Sequence, residues 1–276
     1  MGGLARVPNP GGELGYNALM DSDQLRAALD GLPLGGLRYF EQLGSTNEEA
    51  ARWAAGSAPD LALVVADEQT AGRGRQGRRW YTPPGAALAF SLVLQPAGEP
   101  GNAVPLLTAL GALGASDALR ELGLPAQIKW PNDILVRGRK LAGVLVEASW
   151  QGDELRAAIL GIGINVAPRS VPDDAQTMFP ATCIETELGS AVHRWQLLRS
   201  VLEAVLRWRP RVGEPGFIAA WDERLAFRGE WVRVSGAEAP PVEQGQVIGL
   251  NPDGTLQLRA RSGELLALQV GDIHLR

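Results

Sequence analysis

Residues 127–166 constrain the fold more than any other stretch. Two β-type runs, Gln127-Ile128-Lys129 and Ile134-Leu135-Val136, flank Pro131-Asn132-Asp133. Arg137-Gly138-Arg139 then marks a hairpin turn, and residues 140–147 continue as a strand. Gln151-Gly152-Asp153 is a further turn, after which 155–166 returns as a strand. Strands joined by tight turns run antiparallel, so the sheet is antiparallel or mixed, not doubly wound and parallel. Gly143, Gly161 and Gly163 lie inside these strands. Glycines there mark a bulge or the close approach of another group.

A second stretch carries the charge. An apolar run, 61–66, leads into residues 67–80, and another, 86–95, follows them. Between Gly72 and Arg79 four arginines and three glycines fill eight residues. The glycines allow the backbone to fold closely over a ligand. The guanidinium forks suit carboxylate and phosphate oxygens. Two readings follow: a loop that wraps an anionic ligand, or a nucleic-acid tether. The formal net charge of −5 counts against general nucleic-acid binding, which shows in the charge of a whole domain.

The rest of the chain supplies helices and a second unit. Residues 1–20 are a lead rich in Gly, Pro and Asn. Ser22 caps a short helix carrying Leu25, Ala28 and Leu29, too little for a helix-turn-helix module. After a strand at 37–40, Ser45-Thr46-Asn47 opens a helix, and Ser45/Glu48 and Thr46/Glu49 fit capping boxes. Such a helix start is also a ready anion site. Leu88, Phe90, Leu92 and Leu94 alternate as a strand. Asn102 opens an apolar helix to about residue 122, suited to packing on a sheet. A Pro-rich loop spans 167–181. An amphipathic helix spans 193–208, with Trp195, Leu198, Leu202 and Val205 on one stripe, and another spans 216–225. From 230 onward short strands alternate with turn signals and read as a small β-barrel packed on the first domain. The expected divisions are 1–36, 37–228 and 229–276.

Several chemistries are excluded. Cys183 is the only cysteine, so no intramolecular disulfide or cysteine-based zinc site forms, which suits a reducing cytosol. The N-terminus lacks a signal-peptide pattern, and no apolar run approaches the ~20 residues that cross a bilayer. His193 and His274 are the only histidines; both read as structural or exposed, and no Ser-His-Asp set is plausible. No phosphate loop of the GxxxxGK type is present, and Gly161-x-Gly163 lacks the rest of a dinucleotide fingerprint. What remains is Arg73, Arg75, Arg78, Lys129 and Lys140 with Asn132, Asp133 and Asn165. That set suits phosphoryl chemistry in which the protein positions and neutralises charge and Mg²⁺ bridges phosphates.

Four motifs, in order, then resemble the biotin protein ligases: Gly-Arg-Gly-Arg-Gln-Gly-Arg-Arg-Trp (72–80), Lys-Trp-Pro-Asn-Asp (129–133), Lys-Leu-Ala-Gly-Val-Leu-Val-Glu (140–147) and Gly-Ile-Gly-Ile-Asn-Val (161–166). Ser45-Thr46-Asn47 and the terminal Gly-Asp-Ile-His-Leu-Arg (271–276) are also similar, so the resemblance covers about 37–276. It implies an α+β fold: a mixed or antiparallel sheet with packed helices, of the class II synthetase-like type, followed by an SH3-like barrel. It implies two steps. Biotin carboxylate attacks the α-phosphate of ATP to form biotinyl-5'-AMP. A lysine of a biotin carboxyl carrier domain, as in acetyl-CoA carboxylase, then takes the biotin.

The resemblance also implies residue roles. Ser45, Thr46, Asn47 and Gln69 lie against the biotin head. Gly72, Arg73, Gly74 and Arg75 cover the biotin and phosphate, and Arg78 addresses the pyrophosphate. Lys140 holds the biotin carboxyl oxygen. Lys129, Asn132 and Asp133 sit by the α-phosphate, with Asp133 near Mg²⁺. Arg75, Lys129 and Lys140 are the catalytic set. Gly143, Gly161 and Gly163 keep the floor low, Asn165 meets the adenine, Trp80 orders the adenosine side and Arg169 reaches the triphosphate. Core packing explains Trp80 and Trp130 equally well. Phe179 is a candidate aromatic over adenine but does not align cleanly. Only about 36 residues precede the catalytic domain, without the winged-helix pattern of the family's repressors, so an enzyme without operator binding is expected. The family includes monomers and sheet-extended dimers, and both remain open. A lipoate or octanoate ligase of the same superfamily is the rival enzyme; a cytoplasmic location is expected.

Overall fold

The computed structural model describes residues 22–95, 103–152, 154–172, 180–235 and 244–275. The lead at 1–20, Asn102, Asp153, Phe179 and Arg276 lie outside the described residues. Seven strands form the main sheet: β1 (Gly36–Leu43), β2 (Ala62–Gln69), β3 (Ala87–Leu94), β4 (Ala126–Lys129), β5 (Asp133–Val136), β6 (Arg139–Gln151) and β7 (Glu154–Asn165). Their order is β1-β2-β3-β7-β6-β5-β4. β1 and β2 run parallel and the other pairs antiparallel, so the sheet is mixed, as expected. The parallel pair is joined by helix α2 (Thr46–Ala55), which crosses from one strand to the next. The β5–β6 turn holds Arg137 at φ 49° and Gly138 at φ 75°, the left-handed pair that a two-residue hairpin requires.

The two faces of this sheet have different side chains. On one face Leu88, Phe90 and Leu92, then Leu160, Ile162 and Ile164, then Ala142, Val144 and Ile134 join a single buried core. Helix α3 (Ala103–Glu121) covers it. Gly111 is what lets the helix sit so close: a Cβ there would meet Leu160 Cδ1 at 2.7 Å and Val144 Cγ1 at 2.9 Å. Each fully buried Leu or Ile on this face contributes about 1.5–3 kcal/mol. Helix α5 (Arg194–Trp208) packs outside α3, with its expected apolar stripe buried. On the opposite face the register lines up small and polar residues. One row runs Ala89, Gly163, Gly143, Asp133, Lys129 across five strands. The side-chain alternation of β3 is real, yet both its faces are buried.

The remaining helices are α1 (Ser22–Ala28), α4 (Ile184–Leu188) and α6 (Pro215–Glu223). The sequence did not suggest α4: it is a five-residue helix in the unassigned stretch between the 167–181 loop and the helix expected from 193. The capping boxes do not form. Ser45 makes no side-chain cap hydrogen bond at α2. The Thr46 N–H and hydroxyl both donate to Gln69 Oε1, at 2.9 and 3.1 Å, and Glu49 turns to Arg38 and Arg52 instead. Tertiary partners thus replace the local cap. No helix among the described residues is long and apolar enough to cross a membrane.

A second, antiparallel sheet holds β8 (Trp231–Ser235), β9 (Gln244–Leu250), β10 (Leu256–Arg259), β11 (Leu265–Leu268) and β12 (Asp272–Leu275), in the order β11-β10-β9-β8-β12. It docks through tryptophans. Trp130 Nε1–H donates to Gly254 O at 3.2 Å, and a Cβ on Gly254 would lie 2.8 Å from Trp221 of α6. Trp130, only 2 % exposed, is therefore a packing residue.

Candidate functional site

The small-residue face of the main sheet floors a cavity of about 750 Å³. Its lining includes Ser45, Thr46, Asn47, Gln69, Arg73, Gly74, Arg75, Arg78 and Trp80. Lys129, Asn132, Asp133, Lys140, Gly143, Gly161, Gly163 and Asn165 line it as well. The fold thus brings together residues spread over 120 positions of chain, from 45 to 165. Two expected members are not in the lining. Gly72 lies at the base of the arginine loop, where Trp80 N–H donates to its carbonyl at 2.9 Å and a Cβ would meet Trp80 O at 2.4 Å. Arg169 is exposed and reaches Pro84 O at 3.4 Å.

At one end, α2 and β2 build a polar wall. Asn47 Nδ2 donates to Leu145 O at 3.3 Å and to Glu147 Oε2 at 2.8 Å, while Ser91 Oγ donates to Asn47 Oδ1 at 2.6 Å. Gly161 makes room for this amide: an added Cβ would stand 2.0 Å from Asn47 Oδ1. Gly163 makes room for Trp80, whose Cε2 would be 2.3 Å from an added Cβ. The strand glycines therefore accommodate the protein's own side chains as well as leaving the floor low. The Trp80 Nε1–H is buried with no acceptor among the described residues, a donor left for a ligand. Asn47 is held at both ends and cannot swing aside, so Gly161→Ala should cost about 1–3 kcal/mol of stability. A urea melt checks this; wild-type stability would mean that Asn47 has slack.

At the other end, charges converge. The arginine loop closes on itself through Gly74 N–H to Arg78 O at 2.7 Å, with Gln76 at φ 55° and Gly77 at φ 74°. This aims its side chains differently. Arg73 pairs with Glu147 at 2.9 Å and Glu48 at 3.6 Å. Arg75 Nη1 donates to Asn132 Oδ1 at 3.1 Å. Arg78 binds Asp272 Oδ2 at 2.6 Å; Arg75 and Lys129 reach Asp272 Oδ1 at 3.6 and 3.9 Å. Asp133 Oδ1 pairs with Lys140 at 2.6 Å and its Oδ2 with Lys129 at 3.5 Å. Four cations face two carboxylates, a surplus suited to a polyphosphate.

Burial shapes these charges. Desolvation alone would raise the Asp133 carboxyl, but Lys140 and Lys129 together bring it below its ordinary range. Desolvation pulls the Lys129 ammonium down, and Asp133 and Asp272 offset this only in part. Asp272 is the main residue that sequence reasoning missed. It comes from β12 of the second sheet, is 2 % exposed and meets three cations. The signal lay in the terminal Gly-Asp-Ile-His motif, but nothing in the chain order said which residue would face the loop. His274, two residues on, lines the cavity too and shares a hydrogen bond with Ser235 Oγ at 3.1 Å between strands β12 and β8.

Asp133 was expected near Mg²⁺. Both its oxygens face lysines, and among the described residues no group of three His, Cys, Asp or Glu side chains could hold a metal ion. The residues do not fit a preformed metal site.

Comparison with known proteins gives the family. Residues 39–165 match the Biotin/lipoate A/B protein ligase family. The chain is 38% identical over 230 residues to a biotin--[acetyl-CoA-carboxylase] ligase of Paracoccus denitrificans, covering 79% of this chain and 92% of that one. It is 39% identical over 169 residues to the bifunctional ligase/repressor BirA of Bacillus subtilis, covering 60% of this chain; the match spans about half, 51%, of that longer relative. The structure of the Aquifex aeolicus biotin protein ligase in complex with biotin and ATP superposes with a TM-score of 0.74 at 29% identity, covering 87% of this chain and 98% of that one. The chain belongs to the biotin protein ligases of the biotin/lipoate A/B protein ligase family.

Proposed function

We propose that the chain is an ATP-dependent ligase that activates biotin as biotinyl-5'-AMP and transfers it to a lysine of a biotin carboxyl carrier protein. The observation that carries this is one cavity with a small, polar-walled end at Asn47 and Gln69 and a cationic end at Arg75, Arg78, Lys129 and Lys140. A ureido head with a carboxylate tail and a polyphosphate would fill those two ends. The Paracoccus relative's named activity and the biotin and ATP in the Aquifex complex support the reading.

In the first step a biotin carboxylate oxygen attacks the α-phosphorus, and the bond to the departing pyrophosphate breaks. Lys140 holds the carboxylate, Arg75 and Lys129 face the charge that builds on the α-phosphate, and Arg78 meets the pyrophosphate. Asn132 and Asp133 orient those cations. Trp80 and Asn165 take the adenosine side; Ser45, Thr46, Asn47, Gln69, Arg73, Gly74 and the floor glycines take biotin. A Mg²⁺ ion accompanying ATP would shield the phosphate charge, and no residue of the chain is assigned to hold it. In the second step the acceptor's ε-amine attacks the acyl carbon, the C–O bond to AMP breaks and the amine loses a proton.

The divisions 37–228 for the catalytic unit and 229–276 for an SH3-like unit form part of this reading, as do a carboxylase carrier domain as acceptor, a cytoplasmic location where ATP is supplied, and a homodimer to be sought by light scattering. DNA binding is not part of it: salt-dependent titration with duplex DNA should show none. Biotin-dependent ATP–pyrophosphate exchange followed by label transfer to a carrier domain tests the whole; transfer of lipoate alone would overturn it. Arg75→Ala should let biotinyl-adenylate escape into water, because the loop no longer seals the intermediate. Chromatography of released adenylate checks this, and release at the wild-type rate would remove the sealing role.

A further inference from the structure

Lys140 sits where β6 keeps its β5 neighbour but lacks its β7 neighbour. The β6–β7 ladder starts only at Ala142 opposite Ile164. On the other side the β5–β6 register shifts between Ile134, opposite Ala142, and Leu135, opposite Lys140. That bulge leaves Leu141 unpaired and re-aims the lysine beside it. The backbone of Lys140 is instead held by a strap, residues 180–182: Lys140 N–H donates to Pro180 O at 2.8 Å, and Thr182 N–H donates to Lys140 O at 2.9 Å. The same strap holds the adenosine side, since Asn165 Nδ2 donates to Thr182 O at 3.0 Å.

One carboxylate, outside the cavity lining, ties this arrangement together. Glu187 of α4 has a side chain 1% exposed. Its Oε1 accepts from Thr182 Oγ1 at 2.6 Å and from Arg139 Nη2 at 2.5 Å, and its Oε2 accepts from Arg137 Nη1. Arg137 lies in the β5–β6 turn and Arg139 follows it, just before Lys140, and Thr182 belongs to the strap on the lysine's open edge. We propose that Glu187 is a positioning residue for the ligase reaction: its carboxylate clamps the hairpin turn to the strap and so sets Lys140 and Asn165 at once. The proposal rests on the reading of the cavity as a biotin and ATP site. Burial alone would raise the Glu187 carboxyl, yet Thr182 and the two guanidiniums keep it below its ordinary range, so the clamp stays charged. A helix anchor with no functional role would need one such contact; three contacts converging from both flanks of Lys140 fix its direction.

The test is a double-mutant cycle on biotin affinity, read by calorimetry with Glu187→Gln, Lys140→Ala and the double variant. Glu187→Gln should weaken biotin binding by roughly ten-fold and raise the KM for ATP, since small displacements of positioning groups cost this much. In the Lys140→Ala background the same change should cost nothing further for biotin, because the clamp acts through that lysine. Thr182→Val, which removes only the 2.6 Å bond, should give a loss of about five-fold in the same direction and serves if Glu187→Gln does not fold. Wild-type affinity in these variants, or losses that add with Lys140→Ala, would overturn the proposal. A wild-type protein that binds biotin and exchanges pyrophosphate while Glu187→Gln is unchanged sinks the clamp alone; a wild-type protein that does neither sinks the ligase reading and the clamp with it.

Discussion

Lys140→Ala should lower biotin-dependent pyrophosphate exchange by about 10²–10³-fold, the loss typical of removing one donor to a developing charge. The side chain is 28% exposed and lines the cavity beside the bulge, so no neighbour fills its place. Lys129 is no substitute: it ends the floor row, its side chain is buried, and it already answers to Asp133 and Asp272. The substitution also has a signature in acid. With Lys140 present, Asp133 is held below its ordinary value of 3.8, so its contribution to stability is complete above that value and is lost as pH falls through the lower folded one. Removing Lys140 raises the folded value towards or past the ordinary one. Acid unfolding should therefore begin at higher pH in the variant, as followed by circular dichroism. Unchanged exchange would take Lys140 out of the reaction, and an unchanged acid limb would take it out of the Asp133 pair.

The second large effect lies outside the catalytic sheet. Asp272→Asn keeps shape and removes the charge that Arg78 meets at 2.6 Å and Arg75 at 3.6 Å. Two consequences oppose each other. The cationic surplus grows by one, which favours phosphate binding; the arginines lose the anion that aims them, which disfavours reaction. Arg78 is 38% exposed, so the added attraction is screened by solvent. Misplacement is not screened, and it should win: kcat for exchange should fall by roughly ten- to hundred-fold with a smaller change in the KM for ATP. Stability should drop by about 1–3 kcal/mol, because Lys129 keeps Asp133 and only part of its compensation is lost. Steady-state exchange with a urea melt separates the two, and an unchanged kcat with lowered stability would make Asp272 a packing residue of the second sheet.

Legibility differed by kind of residue. Arg73, Arg75 and Arg78 stand out as a basic, glycine-rich cluster on an acidic chain, but that stretch alone leaves an anion-wrapping loop and a nucleic-acid tether both open until the four motifs are read in order. Gly143, Gly161 and Gly163 were readable because glycine weakens a strand and so stands out within β-type runs. What each glycine accommodates was not readable: Asn47 lies over Gly161 and Trp80 over Gly163 because strands β6 and β7 bring those positions under α2 and the loop. The capping boxes at Ser45 and Thr46 were a local inference that lost to Gln69, a residue 23 positions away. Helix α4 carries too few residues for a periodic signal.

The sequence by itself determined a sheet that is antiparallel or mixed, the small second unit, and the cation and glycine positions from which the family is recognisable, since these follow from turn chemistry, alternation and motif order; the parallel β1–β2 pair came with the structure. Only the tertiary structure decided which charges answer one another. Asp272 reaches Arg75, Arg78 and Lys129 from another sheet, and Glu187 reaches the turn and strap around Lys140 from a helix the sequence did not announce. The physical reason is that a buried carboxylate needs partners but does not specify them along the chain. Its partners are whichever donors the tertiary packing brings within about 4 Å; for Asp272 that packing includes Trp130 and Trp221 against Gly254 and Asp222 accepting from Leu250 N–H at 2.8 Å.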